Sequence, residues 1–148
     1  MRRAVAGIAA RLPLAGLCSA DFVLGEAGPV LLEINARAGA TIDVFDDPAR
    51  PLIALHLAAL RGELPETERQ APIENRASGL AWAERPLRVP VGFAWPDWTR
   101  DRTVPPAEFA AGEPICTVVA AAPDAAAAQA LFHARTRRIN EILGSMAA

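Results

Sequence analysis

Lysine is absent from the sequence, and all 15 basic residues are arginine. An arginine guanidinium stays protonated and cannot provide the ε-amino group that serves as a base or a nucleophile in many enzymes. Chemistry that requires a lysine side chain is therefore excluded for this chain alone. The net charge is −2, and the arginines are scattered without forming a basic stripe. For this reason nucleic acid is not an expected partner.

Large core-forming side chains are scarce, since aromatic residues make up only 5% of the 148 residues. The hydrophobic fraction of 52% includes 33 alanines, whose methyl groups bury little apolar area. A chain of this length can form one ordinary domain or two small lobes. With so few large apolar side chains, we expect part of its apolar surface to meet another chain or a segment outside this sequence.

Cysteine is rare, and Cys18 and Cys116 lie far apart with no further Cys or His at metal-ligand spacing. This spacing supports neither a zinc site nor a disulfide framework and is typical of a protein from a reducing compartment. We expect both thiols to be small buried hydrophobic groups.

Long hydrophobic runs are missing as well, because no stretch approaches the ~20 apolar residues that a membrane helix requires. Residues 4–10 follow two arginines in the manner of a signal peptide, but Arg11 and Pro13 interrupt the apolar run before it reaches secretory length. The sequence therefore predicts a cytoplasmic protein with no membrane partner.

The pattern of apolar residues, glycines and prolines predicts an α+β fold made of two parts. In residues 1–75 it indicates a helix at 2–11 and two strands at 16–24 and 30–35, which form a hairpin with a five-residue loop. A second helix follows at 51–61. In residues 76–148 it indicates strands at 77–83, 87–93 and 115–122, a charged loop at 97–102, and a final helix that begins after Asp124 and ends at Gly144. The polar segment 62–75, which contains two prolines, is predicted to be the linker.

The hairpin is predicted to place two carboxylates opposite each other. With residues 25–29 as the loop, Leu24 faces Val30. Counting outward from this pair sets Asp21 directly opposite Glu33, so both acids project from one face of the sheet.

Asn35 is expected on the same face as Asp21 and Glu33, because side chains alternate along a strand. Two like charges directly opposite each other are destabilising unless one keeps a proton or a cation lies between them. Two carboxylates and an amide oxygen suit Mg²⁺ or Mn²⁺, with positions left open for phosphate oxygens. The alternative is a polar hairpin end in solvent with unrelated charges. On the opposite face, the pattern predicts a core contact for four apolar side chains: Phe22, Leu24, Leu32 and Ile34.

The two strands together resemble the C-terminal signature of the ATP-grasp superfamily. Residues 17–24 (LCSADFVL), a short turn and residues 30–37 (VLLEINAR) show its acidic residue followed by Phe, and then a strand ending in Glu-x-Asn-x-Arg. The likeness is to enzymes resembling biotin carboxylase and the carboxylate–amine ligases, and it covers about residues 4–61. It implies the C-terminal half of an ATP-grasp fold, with antiparallel strands packed with helices, followed by a small β-rich lobe with a C-terminal helix.

The resemblance also implies roles for five residues. Asp21 and Glu33 would bridge magnesium or manganese ions, with Asn35 as the third ligand. Arg37 would be the catalytic residue and lie over the γ-phosphate of ATP or over an acyl phosphate, and the ATP site would include Asn35 and Gly39. Gly39 would permit a tight backbone path beside the nucleotide. Asp21 departs from the biotin carboxylase branch, which usually has Glu at this position, and its reach is shorter by one methylene.

The implied reaction is the ATP-dependent formation of a C–N bond, in which a substrate carboxylate is phosphorylated and an amine attacks the acyl phosphate. Known ATP-grasp enzymes hold the α- and β-phosphates with lysines from an N-terminal half. The Lys-free chain is therefore expected to be inactive unless such a half is supplied. Residues 105–118 show a weaker resemblance to a carboligase-like branch of the superfamily, which is linked to one-carbon cofactor synthesis. The alternative from another class is a non-catalytic interaction module or a truncated fragment that keeps the fold.

The other conspicuous polar and aromatic side chains are predicted to be structural. His56 and His133 lie in predicted helices as partly buried or surface residues. Asp43, Asp46 and Asp47 are placed at helix entry, where the helix dipole favours acids. Three tryptophans are expected to pack in a core or between the lobes: Trp82, Trp95 and Trp98.

Overall fold

A computed structural model of the chain describes residues 2–47, 49–63 and 74–146. It has antiparallel sheets and a long C-terminal helix, which confirms the predicted α+β fold class. The chain divides into two compact units, unit 1 at Met1–Ala71 and unit 2 at Pro72–Ala148. Within the segment predicted to be the linker, residues 64–73 lie outside the described residues. In the described part of the chain, no helix has the length and apolar character needed to span a membrane.

The described residues of unit 1 form three helices and one hairpin. In chain order these are α1 (Arg2–Ala9), β1 (Ser19–Gly25), β2 (Gly28–Asn35), α2 (Ile42–Phe45) and α3 (Leu52–Leu60). β1 and β2 pair antiparallel as a two-stranded sheet. The sequence pattern predicts each of these elements except the single-turn helix α2, although the ends of the elements differ.

The hairpin turn is shorter than predicted. Gly25 and Gly28 still pair with each other, so the turn contains only residues 26 and 27, and the five-residue loop at 25–29 is wrong. Gly28 has a φ of 110°, which glycine adopts without a steric clash because it has no Cβ. This conformation lets Pro29 continue strand β2 instead of belonging to the turn.

A β-bulge compensates for the shorter turn. Next to the turn the strand partners differ by one residue from the prediction, with Leu24 opposite Pro29. The register then shifts beside Asp21, where β2 contains Leu32 as an extra residue. Beyond this bulge, Asp21 is opposite Glu33, as predicted.

The predicted core contact of the hairpin is wrong. Leu24 is 73% exposed and Leu32 is 63% exposed, while Phe22 and Ile34 are half-buried. None of the described residues of unit 1 is buried. A two-stranded sheet buries an apolar face only when another layer covers it. Because no buried layer forms among these residues, much of the hairpin's apolar surface stays in contact with solvent.

Helix α3 contacts the segment that precedes β1. The backbone N–H of Leu17 donates a hydrogen bond to Nδ1 of His56, with an N···N distance of 2.9 Å. Gly16, with a φ of 80°, lies against the imidazole ring, and a Cβ at this position would be 2.5 Å from Nδ1. His56 is half-buried, as expected, and its contact is with the backbone that leads into β1.

Acidic side chains lie at the helix starts of unit 1, as predicted. Asp46 accepts a hydrogen bond from the N–H of Leu52, the first residue of α3, at 2.7 Å. Asp47 accepts one from the N–H of Ala49 at 3.0 Å, and Asp43 lies in the first turn of α2. The Asp46 contact satisfies an N–H group that has no partner within its own helix.

The described residues of unit 2 form two small sheets and one long helix. In chain order the elements are β3 (Asn75–Trp82), β4 (Leu87–Val89), β5 (Thr99–Arg100), β6 (Ala107–Phe109), β7 (Pro114–Ala122) and α4 (Ala125–Met146). The three-stranded sheet has the order β3-β7-β5, β4 pairs with β6, and all pairs are antiparallel. The strand predicted at 87–93 ends at Val89. The sequence pattern does not predict β5 and β6, because such short strands show no alternation.

Helix α4 begins where predicted and ends later. Asp124 Oδ1 accepts a hydrogen bond from the N–H of Ala127 at 2.8 Å, which is the expected N-cap. The expected end at Gly144 is wrong, because the helix continues to Met146. Gly144 instead lies under the side chain of Arg85: a Cβ here would overlap with Nη2 of Arg85 and be 3.0 Å from its Cζ.

The core of unit 2 lies between α4 and the sheets. Its buried side chains are Ala81, Ala83, Leu87, Val89, Ile115, Cys116, Val118, Ile139 and Leu143. Trp95 and Trp98 pack against this cluster, as expected, and the guanidinium of Arg135 is 5.4 Å from the ring centroid of Trp98. Trp82 is 50% exposed and is not part of this core. Side chains alternate along β3, and its neighbour Ala81 is the one that faces inward.

The two cysteines differ in their surroundings. Cys116 is buried in β7, as expected, and burial raises the pKa of its thiol to about 11. Cys18, which is also expected to be buried, is exposed. It directly precedes β1 in unit 1, whose described residues form no buried core.

Asn140 joins α4 to the end of β3. Its buried side chain donates hydrogen bonds from Nδ2 to the carbonyl oxygens of Trp82 and Thr136, at 3.0 and 3.2 Å. Its Oδ1 accepts a hydrogen bond from the N–H of Glu84 at 3.1 Å. One side chain thus satisfies backbone groups on both sides of residue 83 and fixes this segment to the helix.

Candidate metal and phosphate site

Asp21 and Glu33 form a carboxylate pair across the hairpin. They are directly opposite each other in antiparallel strands. Residues in this relationship have Cβ atoms about 4.5–5.5 Å apart and project from the same face. Both side chains are exposed. The predicted pairing is confirmed, and the role of the two acids as metal ligands stays a prediction.

The pKa of the Glu33 carboxyl lies below its ordinary value of 4.5. The largest cause is the side-chain hydrogen bond with Asn35, and the hydrogen bond with Asp21 comes next. The positive charge of Arg37 lowers the pKa further, and these effects outweigh the opposing loss of hydration. Glu33 is therefore ionised at neutral pH and provides a constant negative charge at this end of the hairpin.

Asn35 orients the Glu33 carboxylate. The two residues lie two positions apart on β2 and share a face of the sheet. Asn35 Nδ2 donates a hydrogen bond to Oε1 of Glu33 at 2.9 Å. Because Nδ2 is used in this way, Oδ1 of Asn35 is the atom that can bind a cation. The end of β2 thus offers an amide oxygen beside the two carboxylates.

Arg37 lies two residues beyond the end of β2. Its exposed guanidinium donates one hydrogen bond, from Nη1 to the carbonyl oxygen of Ala38 at 3.2 Å. A guanidinium has five N–H donors, so this contact leaves most of them for an anionic ligand. Arg37 is also close enough to Glu33 for its charge to act on that carboxylate. Positive charge therefore accompanies the acidic pair.

Gly39 lies against the first residue of β1. A Cβ at this position would be 2.9 Å from Cβ and 3.0 Å from Oγ of Ser19. Ser19 pairs with Asn35 in the hairpin. The absence of a side chain at Gly39 lets the loop after β2 return to the end of the hairpin that carries Asn35. Its position beside a nucleotide stays a prediction, since the contact observed is with Ser19.

The oxygen atoms at this end of the hairpin fit a hard divalent cation. Asp21 and Glu33 supply carboxylates and Asn35 supplies an amide, which is a ligand set suited to Mg²⁺ or Mn²⁺. Across residues 2–47, 49–63 and 74–146, no group of three or more His, Cys, Asp or Glu side chains could hold a metal ion. A cation at this site would therefore need the amide of Asn35 together with water or phosphate oxygens, as Mg²⁺ usually does.

Two residues that support this end of the hairpin are not predicted from the sequence. Ser19 could have been found from the strand register, which sets it opposite Asn35 beside a run of small residues after β2. The contact between His56 and Leu17 joins residues 39 positions apart, and no local pattern indicates it.

Compared with known proteins, the chain matches no family model, no curated protein and no solved structure. The resemblance to the ATP-grasp superfamily therefore rests on the residues themselves, chiefly those at 17–24 and 30–37.

Proposed function

We propose that unit 1 is the metal- and phosphate-binding part of an ATP-dependent ligase of the ATP-grasp type. The observation that carries this proposal is the pairing of Asp21 with Glu33, whose carboxylate is bonded to Asn35. The ligase would join a small-molecule carboxylate to an amine, or act as a carboligase, through an acyl-phosphate intermediate. ATP would be its phosphoryl donor.

Each residue of the site has a defined role in this proposal. Asp21, Glu33 and Asn35 would hold Mg²⁺ or Mn²⁺, which when bound would neutralise charge on the β- and γ-phosphates of ATP. Glu33 is kept ionised by its lowered pKa, and Asn35 holds its carboxylate in one orientation. Arg37 would use its remaining N–H donors to bind the transferring phosphoryl group or the acyl phosphate. Gly39 would keep the backbone close to the nucleotide.

An N-terminal half completes the site in this proposal. The lysines that hold the α- and β-phosphates in ATP-grasp enzymes are absent from the sequence. The exposed apolar side chains of the hairpin, which include Leu24 and Leu32, support the need for a covering layer. An N-terminal half, supplied in trans or from a longer reading frame, would provide both the lysines and the covering layer. Without it, the chain is expected not to turn over ATP.

The exposed apolar side chains of the hairpin also favour a second candidate, a non-catalytic interaction module. The hairpin would then bind a protein through side chains such as Leu24 and Leu32. The acidic pair would then be a solvated polar end of the hairpin, with no part in metal binding. Metal binding therefore separates the two candidates.

Binding of Mn²⁺ to the full chain tests the ligase proposal without an N-terminal half. Free Mn²⁺ gives an electron paramagnetic resonance signal that is lost on binding. We expect saturable binding that Glu33→Gln weakens by about tenfold or more. Glu26→Gln, which removes a carboxylate from the turn of the same hairpin, is the matched control and should bind as the wild type does. Equal Mn²⁺ affinity of the two variants would contradict the proposal and favour the interaction module.

ATP turnover tests the need for the second half. Addition of an N-terminal ATP-grasp half in trans should produce Mg²⁺-dependent ATP turnover, and Glu33→Ala should abolish it. Turnover that persists in Glu33→Ala would show that the acidic pair is not the metal site.

A further inference from the structure

A second cluster of charged side chains lies in unit 2, in a cleft of about 430 Å³ beside helix α4. The segment after β3 provides one wall and α4 provides the other. The lining residues are Glu84, Arg85, Arg137, Asn140 and Glu141. With two arginines and two glutamates, the cleft has both signs of charge and no net charge.

The position of Arg85 depends on the glycine at 144. Gly144 lies inside α4, where glycine is less favourable than any residue except proline. A Cβ at this position would overlap with Nη2 of Arg85 and lie 3.2 Å from its Nε. The missing side chain therefore lets the guanidinium lie against the helix.

The backbone that carries Arg85 is fixed as well. Asn140 Oδ1 accepts a hydrogen bond from the N–H of Glu84, the residue just before Arg85. The same side chain donates to the carbonyl oxygen of Trp82. The wall that carries Glu84 and Arg85 is thus held to α4 by a buried side chain, so little ordering of the backbone would be needed on binding.

The two arginines have unused donors. Across the described residues, the guanidinium groups of Arg85 and Arg137 take part in no hydrogen bond and no ion pair. The carboxylate of Glu141 forms an exposed ion pair with Arg138, with an N···O distance of 3.3 Å. A guanidinium binds a carboxylate or a phosphate through two parallel hydrogen bonds when no protein acceptor uses its donors.

We propose that this cleft binds a small zwitterion, a molecule with one carboxylate or phosphate and one ammonium group. Arg85 and Arg137 hold the oxyanion, and Glu84 and Glu141 hold the ammonium group. The mixed lining favours a zwitterion over a plain anion, since the two glutamates repel an anion that brings no positive charge. The site shares no residue with the acidic pair of unit 1, and this inference stands whether or not the ligase proposal holds.

Nuclear magnetic resonance of the ¹⁵N-labelled full chain tests the proposal through the Nε–H signals of the arginines. The probes are β-alanine and O-phosphoethanolamine as zwitterions, and propionate and inorganic phosphate as the matching anions. We expect saturable shifts of the Arg85 and Arg137 signals with a zwitterion, at an affinity about tenfold or more above that of its matching anion. Comparison of β-alanine with O-phosphoethanolamine shows whether the oxyanion is a carboxylate or a phosphate.

Three variants separate binding from general charge effects. Arg85→Ala should weaken binding of the zwitterion by about tenfold or more. Arg88→Ala removes an exposed arginine from nearby β4, outside the cleft, and should leave binding unchanged. Gly144→Ala keeps the charge but displaces the guanidinium, so binding should weaken while the melting temperature rises.

Three results would overturn the proposal. The first is that no probe produces saturable shifts of the Arg85 and Arg137 signals at probe concentrations up to about 10 mM, which is tenfold above a Kd of about 1 mM. The second is equal affinity for a zwitterion and its matching anion. The third is an equal loss of binding in Arg85→Ala and Arg88→Ala.

Discussion

Asp21 faces Glu33 although β2 has one residue more than β1 between this pair and the turn, at 28–32 against 22–25. The extra residue, Leu32, forms the bulge that sets Glu33 opposite Asp21. In a regular ladder, Leu32 itself would face Asp21. As long as Leu32 is present, the two acids meet only because this residue bulges out of the ladder.

Deletion of Leu32 is expected to keep Asp21 opposite Glu33, because it leaves equal numbers of residues on the two strands. The Mn²⁺ affinity proposed for this pair should then match that of the wild type. Insertion of one alanine after Leu32 should weaken Mn²⁺ binding by about tenfold or more, because a shift of one residue turns Glu33 to the other face. Electron paramagnetic resonance titration of both variants checks this. Equal affinity of the two would show that strand register does not define the site.

Asn35→Ala is expected to raise the pKa of Glu33 towards its ordinary value of 4.5, because it removes the largest cause of the lowered pKa. A carboxyl with a lowered native pKa stabilises the fold above its unfolded-state pKa, and this contribution is lost as the pH falls through the native pKa. The variant should therefore lose less stability on acidification. Titration of the Glu33 carboxyl by ¹³C resonance measures the change. Arg37→Ala, which removes the smallest of the causes that lower the pKa of Glu33, is the comparison. A larger rise of this pKa in Arg37→Ala than in Asn35→Ala would show that Asn35 is not the main cause.

The two cysteines are expected to react at different rates. Cys18 is exposed, whereas burial raises the pKa of the Cys116 thiol from an ordinary value of 9.0 to about 11. A disulfide reagent at pH 8 should modify Cys18 in the native protein and reach Cys116 only after denaturation, since the thiolate is the nucleophile. Cys18→Ser should therefore remove the fast reaction. Persistence of fast labelling in Cys18→Ser would contradict the burial of Cys116.

The same pKa predicts a loss of stability in alkali. Cys116 keeps its proton in the fold and releases it on unfolding once the pH exceeds the unfolded-state value of 9.0. The contribution of the protonated Cys116 thiol to the free energy of unfolding is thus complete below pH 9.0 and declines as the pH rises through about 11. Cys116→Ala should reduce the slope of unfolding free energy against pH in this range, as measured by urea titration.

Asn140→Ala is expected to destabilise unit 2 by at least about 2 kcal/mol, because each buried group left without a partner costs about 1–3 kcal/mol. The groups affected include the carbonyl oxygen of Trp82 and the N–H of Glu84. Asn75→Ala, which removes one exposed hydrogen bond to Pro123, is the matched control and should cost under about 1 kcal/mol. Urea denaturation measures both. Equal losses would show that Asn140 does not hold β3 to α4.

The sequence predicts the pairing of Asp21 with Glu33 but not how it arises. Alternation of apolar residues and the glycines near the turn are enough to locate two strands. The length of the turn depends on the conformation of Gly28, and the residue types alone do not determine it. The turn and the bulge each shift the pairing by one residue, in opposite directions, so the predicted pairing of Asp21 with Glu33 is correct for a different reason.

Contacts between distant parts of the chain account for the other differences. Gly144 has the features of a helix end, yet α4 continues to Met146, and the guanidinium of Arg85 occupies the space beside the glycine. In the hairpin, the pattern shows which residues are apolar but not whether another layer covers them. The pattern therefore predicts a core contact for Leu24 and Leu32, whereas both side chains are exposed.

The uncovered face of the hairpin affects how this protein should be handled in the laboratory. Dyes that fluoresce on apolar surfaces bind wherever such surface meets water, in folded as well as unfolded chains. Leu24 and Leu32 offer that surface before any heating begins. Dye-based melting curves would then start from a high signal, and circular dichroism is the better way to follow the unfolding of each variant.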